Sequence, residues 1–457
     1  MTLPLLTAIT DPSVEAALVA TFSSESLGVA VTRRCVDLAD LLATAAAGTG
    51  RAVLVSADLR GLDQSAVAAL QLAGLAVVGL APPRDETAQR RLLQIGVDEV
   101  LAADTSAGQV ATSVLALAAR PSASAPSLAA GFPGAAPPGE VGEAVPERDD
   151  GGPGAGPLVA QGQLIAVWGP AGAPGRTTVA AGLASELAAG GLPVLLVDAD
   201  PYGGCIAQLL GLLEEAPGVA AAARAANAGT LDVPHLASLA RTVSVPGGSA
   251  LRVLTGISRA ARWTELRPAA VTTVLTLARR LAAVTVVDCG FSLEQDEELT
   301  YDTAAPQRNG ATLAAVEAAD LVLAVGSADP VGLTRLVRGL AELRALSPPG
   351  RVQLVVNRLR TSAVPGVARP EAVRREVEQV LLRHAGMRPM TLIPLDQTAA
   401  DRAVAHGRLL CDVAADSPAR LALTELAAAV VGSPWRRRAR RRSPRSAPAQ
   451  QPAAVAR

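Results

Sequence analysis

Gly169-Pro170-Ala171-Gly172-Ala173-Pro174-Gly175-Arg176-Thr177-Thr178 connects an apolar run, Leu164-Ile165-Ala166-Val167-Trp168, to an alanine-rich stretch from Thr177 to Ala189. The run reads as a buried parallel strand and the stretch as a helix, giving the order strand, glycine-rich turn, helix. That order suits a phosphate-binding loop. Gly172 and Gly175 let the backbone turn until its N–H groups and the helix N-terminus face an anion, and Thr177 is placed to offer its hydroxyl to Mg²⁺. Two positions depart from the usual pattern: Pro170 fills the slot of the first glycine, and Arg176 that of the lysine that grips the β- and γ-phosphates. The 457 residues contain no lysine and 41 cations, all arginine, so the exchange follows the composition of the whole chain. Guanidinium is nevertheless planar, forked and larger than ammonium, and it reaches phosphate in a different pose. Glycine-rich turns between strand and helix also occur without a ligand.

Two further strand ends favour the ligand. Leu192-Pro193-Val194-Leu195-Leu196-Val197 runs into Asp198-Ala199-Asp200-Pro201-Tyr202-Gly203-Gly204, with two carboxylates at the strand's carboxyl edge. Val284-Thr285-Val286-Val287 runs into Asp288-Cys289-Gly290, the form of an apolar strand delivering one aspartate to a metal-bound water. Either aspartate segment alone is also what a simple strand-end turn looks like. Three such signals in this order point to a shared nucleotide site at one sheet edge.

With these residues in place the chain resembles the MinD/ParA-type P-loop ATPases. Their loop reads lysine-Gly-Gly-x-Gly-Lys-Thr-Thr, where this sequence has Ala171 to Thr178, so both family lysines are absent. The resemblance implies that Gly172, Ala173, Pro174, Gly175, Arg176, Thr177 and Thr178 hold ATP, and that Thr177, Asp198 and Asp288 serve Mg²⁺. It implies that Asp200, in switch I, orients the attacking water with Arg176 beside it, and that Asp288 is the Walker B acid of switch II. Leu354-Val355-Val356-Asn357-Arg358 matches the strand whose asparagine contacts adenine, and Leu392-Ile393-Pro394-Leu395-Asp396 the loop that closes over the base. Coverage runs from residue 162 to about 430. In the family the first lysine reaches across a dimer to the partner's phosphate. Ala171 cannot do so, which implies slow hydrolysis, and Arg308 is either a substitute or a solvated loop charge.

Outside this region, residues 3 to 118 alternate short apolar strands with helical stretches, the strands expected at Leu3 to Ile9, Gly28 to Thr32, Ala52 to Val55, Ala76 to Leu80 and Glu99 to Leu101. The pattern is that of a small doubly wound sheet and resembles a response-regulator receiver. Its phospho-acceptor position falls on Ser56, its acidic cluster is reduced to Asp11, and Asp58 fits only with a shift of two residues, so a pseudo-receiver used for docking or dimerisation is expected. Residues 121–161, crowded with Pro, Gly, Ala and Ser, read as a tether. Residues 162–432 form the ATPase domain and 433–457 a basic tail. The expected fold class is therefore α/β: a receiver-like doubly wound domain followed by a P-loop NTPase domain with a mostly parallel sheet.

Hydrophobic residues make up 50% of the chain but aromatics only 2%, so the cores must be built of Leu, Val and Ala. Cys35, Cys205, Cys289 and Cys411 are scattered, with no Cys-x-x-Cys pair, which argues against zinc and against a disulfide framework. No apolar run approaches the ~20 residues of a membrane span, and the start lacks signal-peptide character, so a cytoplasmic protein is expected. Eight arginines and no acid occur from residue 436 onward, beside Trp435. Such a tail is a solvated segment, or it binds an anionic membrane or DNA, or it meets the acidic loop Glu294 to Asp302 within an oligomer.

A pseudo-receiver joined to a MinD/ParA-like ATPase resembles the CpaE/TadZ proteins, which localise and help assemble pilus secretion machinery; Leu251 to Gly256 and a helix to Ala278 fit the segment those proteins carry before Walker B. The implied function is an ATP-dependent homodimer that recruits pilus, secretion or polarity proteins, peripherally at a membrane or cell pole. The alternatives are a chromosome or plasmid partition ATPase binding DNA, and a nucleotide-free scaffold with a vestigial site.

Overall fold

The computed structural model describes residues 2–119, 161–172, 174–212, 218–247, 250–295, 307–363 and 369–432. Ala173, the tether up to residue 160, the acidic residues Asp296, Glu297 and Glu298, and the basic tail lie outside the described residues. The chain divides into two compact units, one holding the elements from Leu3 to Ala118 and the other those from Gln163 to Val431.

The first unit has five strands, β1 (Leu3–Ala8), β2 (Val29–Arg34), β3 (Ala52–Ser56), β4 (Ala76–Ala81) and β5 (Glu99–Ala102), in the order β2-β1-β3-β4-β5. All pairings are parallel. Apolar clusters fill both faces of the sheet, which is why β3, Ala-Val-Leu-Val-Ser, is buried throughout and shows no polar alternation. Each expected strand is present, with ends within two residues. The polar groups at the carboxyl edge of β1 and β3 satisfy one another. Asp11 caps the helix Pro12–Ser24 by accepting from the Ser13 and Val14 N–H groups, Ser56 Oγ accepts from Thr10 N at 3.1 Å, and Asp58 accepts from Thr10 Oγ1 at 2.5 Å.

The second unit is an eight-stranded sheet: β6 (Gln163–Trp168), β7 (Val194–Ala199), β8 (Arg241–Ser244), β9 (Ala250–Leu254), β10 (Val284–Cys289), β11 (Leu321–Ser327), β12 (Arg351–Leu359) and β13 (Pro389–Pro394). Their order is β13-β12-β11-β6-β10-β7-β9-β8, and only the edge pair β8–β9 is antiparallel. The chain leaves β6 toward β7 on one side, and later crosses from β10 to β11 on the other. Strand order therefore reverses at β6, where an open α/β sheet forms its ligand crevice. The register places Asp288 of β10 level with Asp198 of β7 and with Val167 of β6, so the two acids stand on neighbouring strand ends.

The helix following the loop, Arg176–Ala189, is buried along most of its length between the sheet and the helix Pro418–Val431. Small residues permit the close approach, since a Cβ at Gly182 would lie 2.5 Å from Leu423 Cδ1. Glu186, on this buried face, is paired with Arg420 Nε at 2.9 Å and accepts from Thr424 Oγ1 at 2.9 Å, so the buried charge is compensated and the helix is fixed in rotation. Before β10 the expected helix reaching Ala278 is split: a short 3₁₀ turn, Ala260–Glu265, precedes the helix Pro268–Leu281, because Pro268 is suited to a first helical position and to no interior one. Among the described residues no helix is long and apolar enough to cross a membrane.

Candidate functional site

The loop after β6 is shaped by two glycines in the left-handed region. Gly172 has φ +107° and Gly175 φ +96°, and Gly175 is the N-cap of the helix Arg176–Ala189 without any side-chain cap. The first N–H groups of that helix thus face the loop with no side chain capping them, the arrangement that binds anions. A Cβ at Gly175 would collide with Asn357 Nδ2, which donates to Pro174 O at 2.9 Å from the end of β12. Asn357, expected at the base, here fastens the loop.

Arg176 reaches inward. Its Nε donates to Cys289 O at 3.1 Å, and its Nη1 to Gly169 O at 3.0 Å and Pro170 O at 3.2 Å. Its Nη2 lies 3.7 Å from Asp200 Oδ2. Guanidinium is long and forked enough to bridge the ends of β6 and β10, a span that a lysine ammonium does not cover with several donors at once. The side chain expected on the phosphates is a brace between the loop and both aspartate segments.

Asp198, Asp200 and Asp288 are brought together as the sequence implies. Asp288 is 1% exposed; its Oδ2 accepts from Thr177 Oγ1 at 2.6 Å, and its Oδ1 is buried with no hydrogen-bond partner. Asp198 is fully buried, its oxygens accepting from the backbone N–H of Asp200 at 3.3 Å and of Ile206 at 3.0 Å. Two glycines wall it in: a Cβ at Gly204 would lie 2.8 Å from its Oδ1, and one at Gly256 2.6 Å from its Oδ2. Asp198 therefore shapes the turn after β7 from within. Asp200 Oδ1 accepts from Tyr202 N at 2.8 Å. Burial pushes the Asp198 carboxyl up to about 7, helped by the charge of Asp200. Burial and then the charge of Asp198 hold Asp288 well above the ordinary carboxylate range.

A divalent cation fits this set. The lone Asp288 oxygen is a costly orphan inside the protein, and three acids share a single arginine. Thr177 and Asp288 are the residues that would hold Mg²⁺, with Asp198 behind them. Among the described residues no group of three His, Cys, Asp or Glu makes a metal site of its own.

The two aspartate segments also touch through aromatic rings. Tyr202 packs on Phe291 with ring centroids 4.5 Å apart, donates from its hydroxyl to Asn309 Oδ1 at 2.7 Å, and lies under the Arg308 guanidinium at 4.2 Å. Arg308 is thus a cation over a ring, attached to the segment after Asp200. On the far side Pro394 ends β13, and Asp396 caps the helix Gln397–His406, accepting from Ala399 N at 3.0 Å and Ser417 Oγ at 2.7 Å. Its carboxylate is occupied by structure. Thr178 is exposed beside a small cavity lined by Leu209, Ala400 and Val404.

A pH dependence follows from the two raised carboxyls. Their pKa values exceed the unfolded value of about 4, so the stability that protonation provides is complete below that value and is lost as pH rises through the folded values, about 7 for Asp198 and well above the ordinary carboxylate range for Asp288. Without divalent cations this contribution lowers the melting temperature between pH 5 and 8. Magnesium needs the deprotonated acids, so the thermal shift produced by Mg-nucleotide should be larger at pH 8 than at pH 6. Paired melting curves in chelator and in Mg-ATP measure this, and equal shifts at both pH values would separate the acids from the metal.

No family model matches the chain, and no curated protein does. Similar solved structures include a ParA family ATPase from Chlorobium tepidum TLS, with 19% identity, TM-score 0.47, and coverage of 59% of this chain and 98% of that one. The cell division ATPase MinD from Pyrococcus furiosus has 19% identity and TM-score 0.45 at 59% and 98% coverage. An ATP complex of Cyanothece McdA has 16% identity and TM-score 0.44 at 60% and 98% coverage. At these values the likeness carries no functional weight, and the site stands on its own geometry.

Proposed function

We propose that the chain is an ATP-binding, MinD/ParA-like switch protein in which Mg-ATP occupies the loop Gly172–Thr178 and orders the segments after β7 and β10. The observation that carries this reading is the buried, unpartnered Oδ1 of Asp288, whose other oxygen holds the Thr177 hydroxyl at 2.6 Å at the opening of a helix. Magnesium would supply charge neutralisation among the three acids and on the phosphates. Asp200, next to Arg176 and the Tyr202 contact, is the group to position a water. The Tyr202–Phe291 packing joins the two segments, a contact that would suit a protein signalling its nucleotide state to a partner. The finer reading is a cytoplasmic, dimerising protein of the CpaE/TadZ kind that localises pilus or secretion machinery. The separate front unit with its β2-β1-β3-β4-β5 sheet supports it, read as a pseudo-receiver whose Asp11 and Asp58 are engaged in local hydrogen bonds.

One observation favours a second reading, a nucleotide-free scaffold: the Arg176 donors are engaged by protein carbonyls. Calorimetry of the full chain decides between them. Mg-ATP is expected to bind with a Kd of micromolar order, about −8 kcal/mol, and to bind far more weakly in chelator. Absence of heat at millimolar Mg-ATP would leave the scaffold.

A further inference from the structure

With Arg176 turned inward and Ala171 uncharged, the outer part of the loop has no cation of its own, yet one stands against it from another element. The helix Pro330–Ala345 follows β11 and is fixed at its start by Asp329, which accepts from Gly332 N at 2.9 Å and from the Ser327 hydroxyl. Leu333, Leu336, Leu340 and Leu343 bury its inner face. Gly339 lets it lie close to the end of β6, since a Cβ there would meet Trp168 Cη2 at 2.9 Å and Pro170 Cβ at 3.4 Å. Arg335 is one helical turn earlier. Helical side chains lean toward the N-terminus, so the residue four before Gly339 reaches the stretch of loop just beyond Pro170. A Cβ at Gly172 would collide with Arg335 Nη1 and lie 3.3 Å from its Cζ. Arg335 is exposed and makes no hydrogen bond or ion pair with a described residue. A guanidinium with no partner among the described residues, held over a glycine whose φ of +107° turns the backbone at the loop's outer edge, is a phosphate ligand in waiting.

We infer that Arg335 binds the terminal phosphate of the nucleotide, supplying from the same chain the second cation that the loop lacks. The assignment rests on the nucleotide reading above. The helix N-terminus at Gly175 to Thr177 would take the inner phosphates, and Gly172, three residues before Gly175 and in contact with Arg335, would border the outermost one. A diphosphate leaves Arg335 idle; a triphosphate engages it. The same contact would tie the helix Pro330–Ala345 to the nucleotide state.

The test compares Mg-ATP, Mg-ADP and inorganic tripolyphosphate on the full chain by calorimetry, for the wild type, Arg335→Ala and Arg335→Lys. Arg335→Ala is expected to weaken Mg-ATP and tripolyphosphate on the order of tenfold or more and Mg-ADP by less than about twofold. Arg335→Lys should recover part of the loss. Melting temperatures should match, because the residue is exposed and has no partner among the described residues. Unchanged Mg-ATP affinity in Arg335→Ala overturns the inference and leaves the nucleotide reading intact, and equal losses for ATP and ADP overturn the assignment to the terminal phosphate. A wild type that binds neither Mg-ATP nor tripolyphosphate overturns both.

Discussion

Asp288→Asn is expected to raise the melting temperature of the metal-free protein and to weaken Mg-ATP binding about 100-fold, ~2.7 kcal/mol. The two effects have one cause. Asp288 is 1% exposed, stands level with Asp198 on the next strand, and keeps one oxygen without a partner. In the absence of a cation, once pH has risen above its raised pKa, that is a buried charge facing another acid, an arrangement that costs stability and persists at functional sites. Asparagine has the same shape, still offers an oxygen to the Thr177 hydroxyl, and removes the repulsion. It also removes the negative charge that a magnesium ion requires. Melting in chelator together with calorimetry in magnesium checks both halves. A variant that melts lower and binds Mg-ATP as well as the wild type would show that Asp288 is an ordinary structural acid.

Much of this arrangement was legible in the sequence because it depends on local order. The apolar runs ending in Asp198 and Asp288 and the glycine-rich turn after Trp168 read directly as strand ends and loop, and Gly172 and Gly175 of the loop have positive φ. Side-chain direction was not legible. Whether Arg176 points out to a phosphate or in toward Cys289 O depends on how near β10 comes to β6, which local residue types do not encode. The same holds for Asn357, whose amide reaches the loop across β11, and for Gly204 and Gly256, which matter because Asp198 is folded between them. Arg335 lies in an ordinary amphipathic helix more than 150 residues from the loop in sequence. Only the placement of β11 beside β6 brings it there, and β11 itself falls between the motifs, where its apolar run Leu321 to Val325 marks a strand but no site. Asp396 was not legible as a cap either: an acid at a helix start looks the same in sequence as one in a base-binding loop, and only its two donors, Ala399 N and the Ser417 hydroxyl, set it apart.

Trp168→Ala is expected to destabilise the second unit by about 3–5 kcal/mol, read as a lowered denaturant midpoint in chelator. Trp168 is fully buried at the end of β6, in a core made mostly of Ala, Val and Leu with few large side chains to close the gap. Its indole N–H donates to Phe291 O at 3.1 Å. That bond is the first link of a chain that continues from Phe291 to the Tyr202 ring and on to Arg308, so the residue supports both the core and the segment after Asp288. Trp168→Phe separates the two roles. Phenylalanine fills much of the volume and lacks the donor, so this variant should lose roughly 1 kcal/mol from the hydrogen bond and a further, smaller amount from packing. Its loss of Mg-ATP affinity should exceed what that modest destabilisation explains, because Phe291 is then free to leave Tyr202. If Trp168→Phe binds Mg-ATP like the wild type while Trp168→Ala merely unfolds earlier, Trp168 is a core residue alone and the ring contacts beyond it carry no signal from the loop.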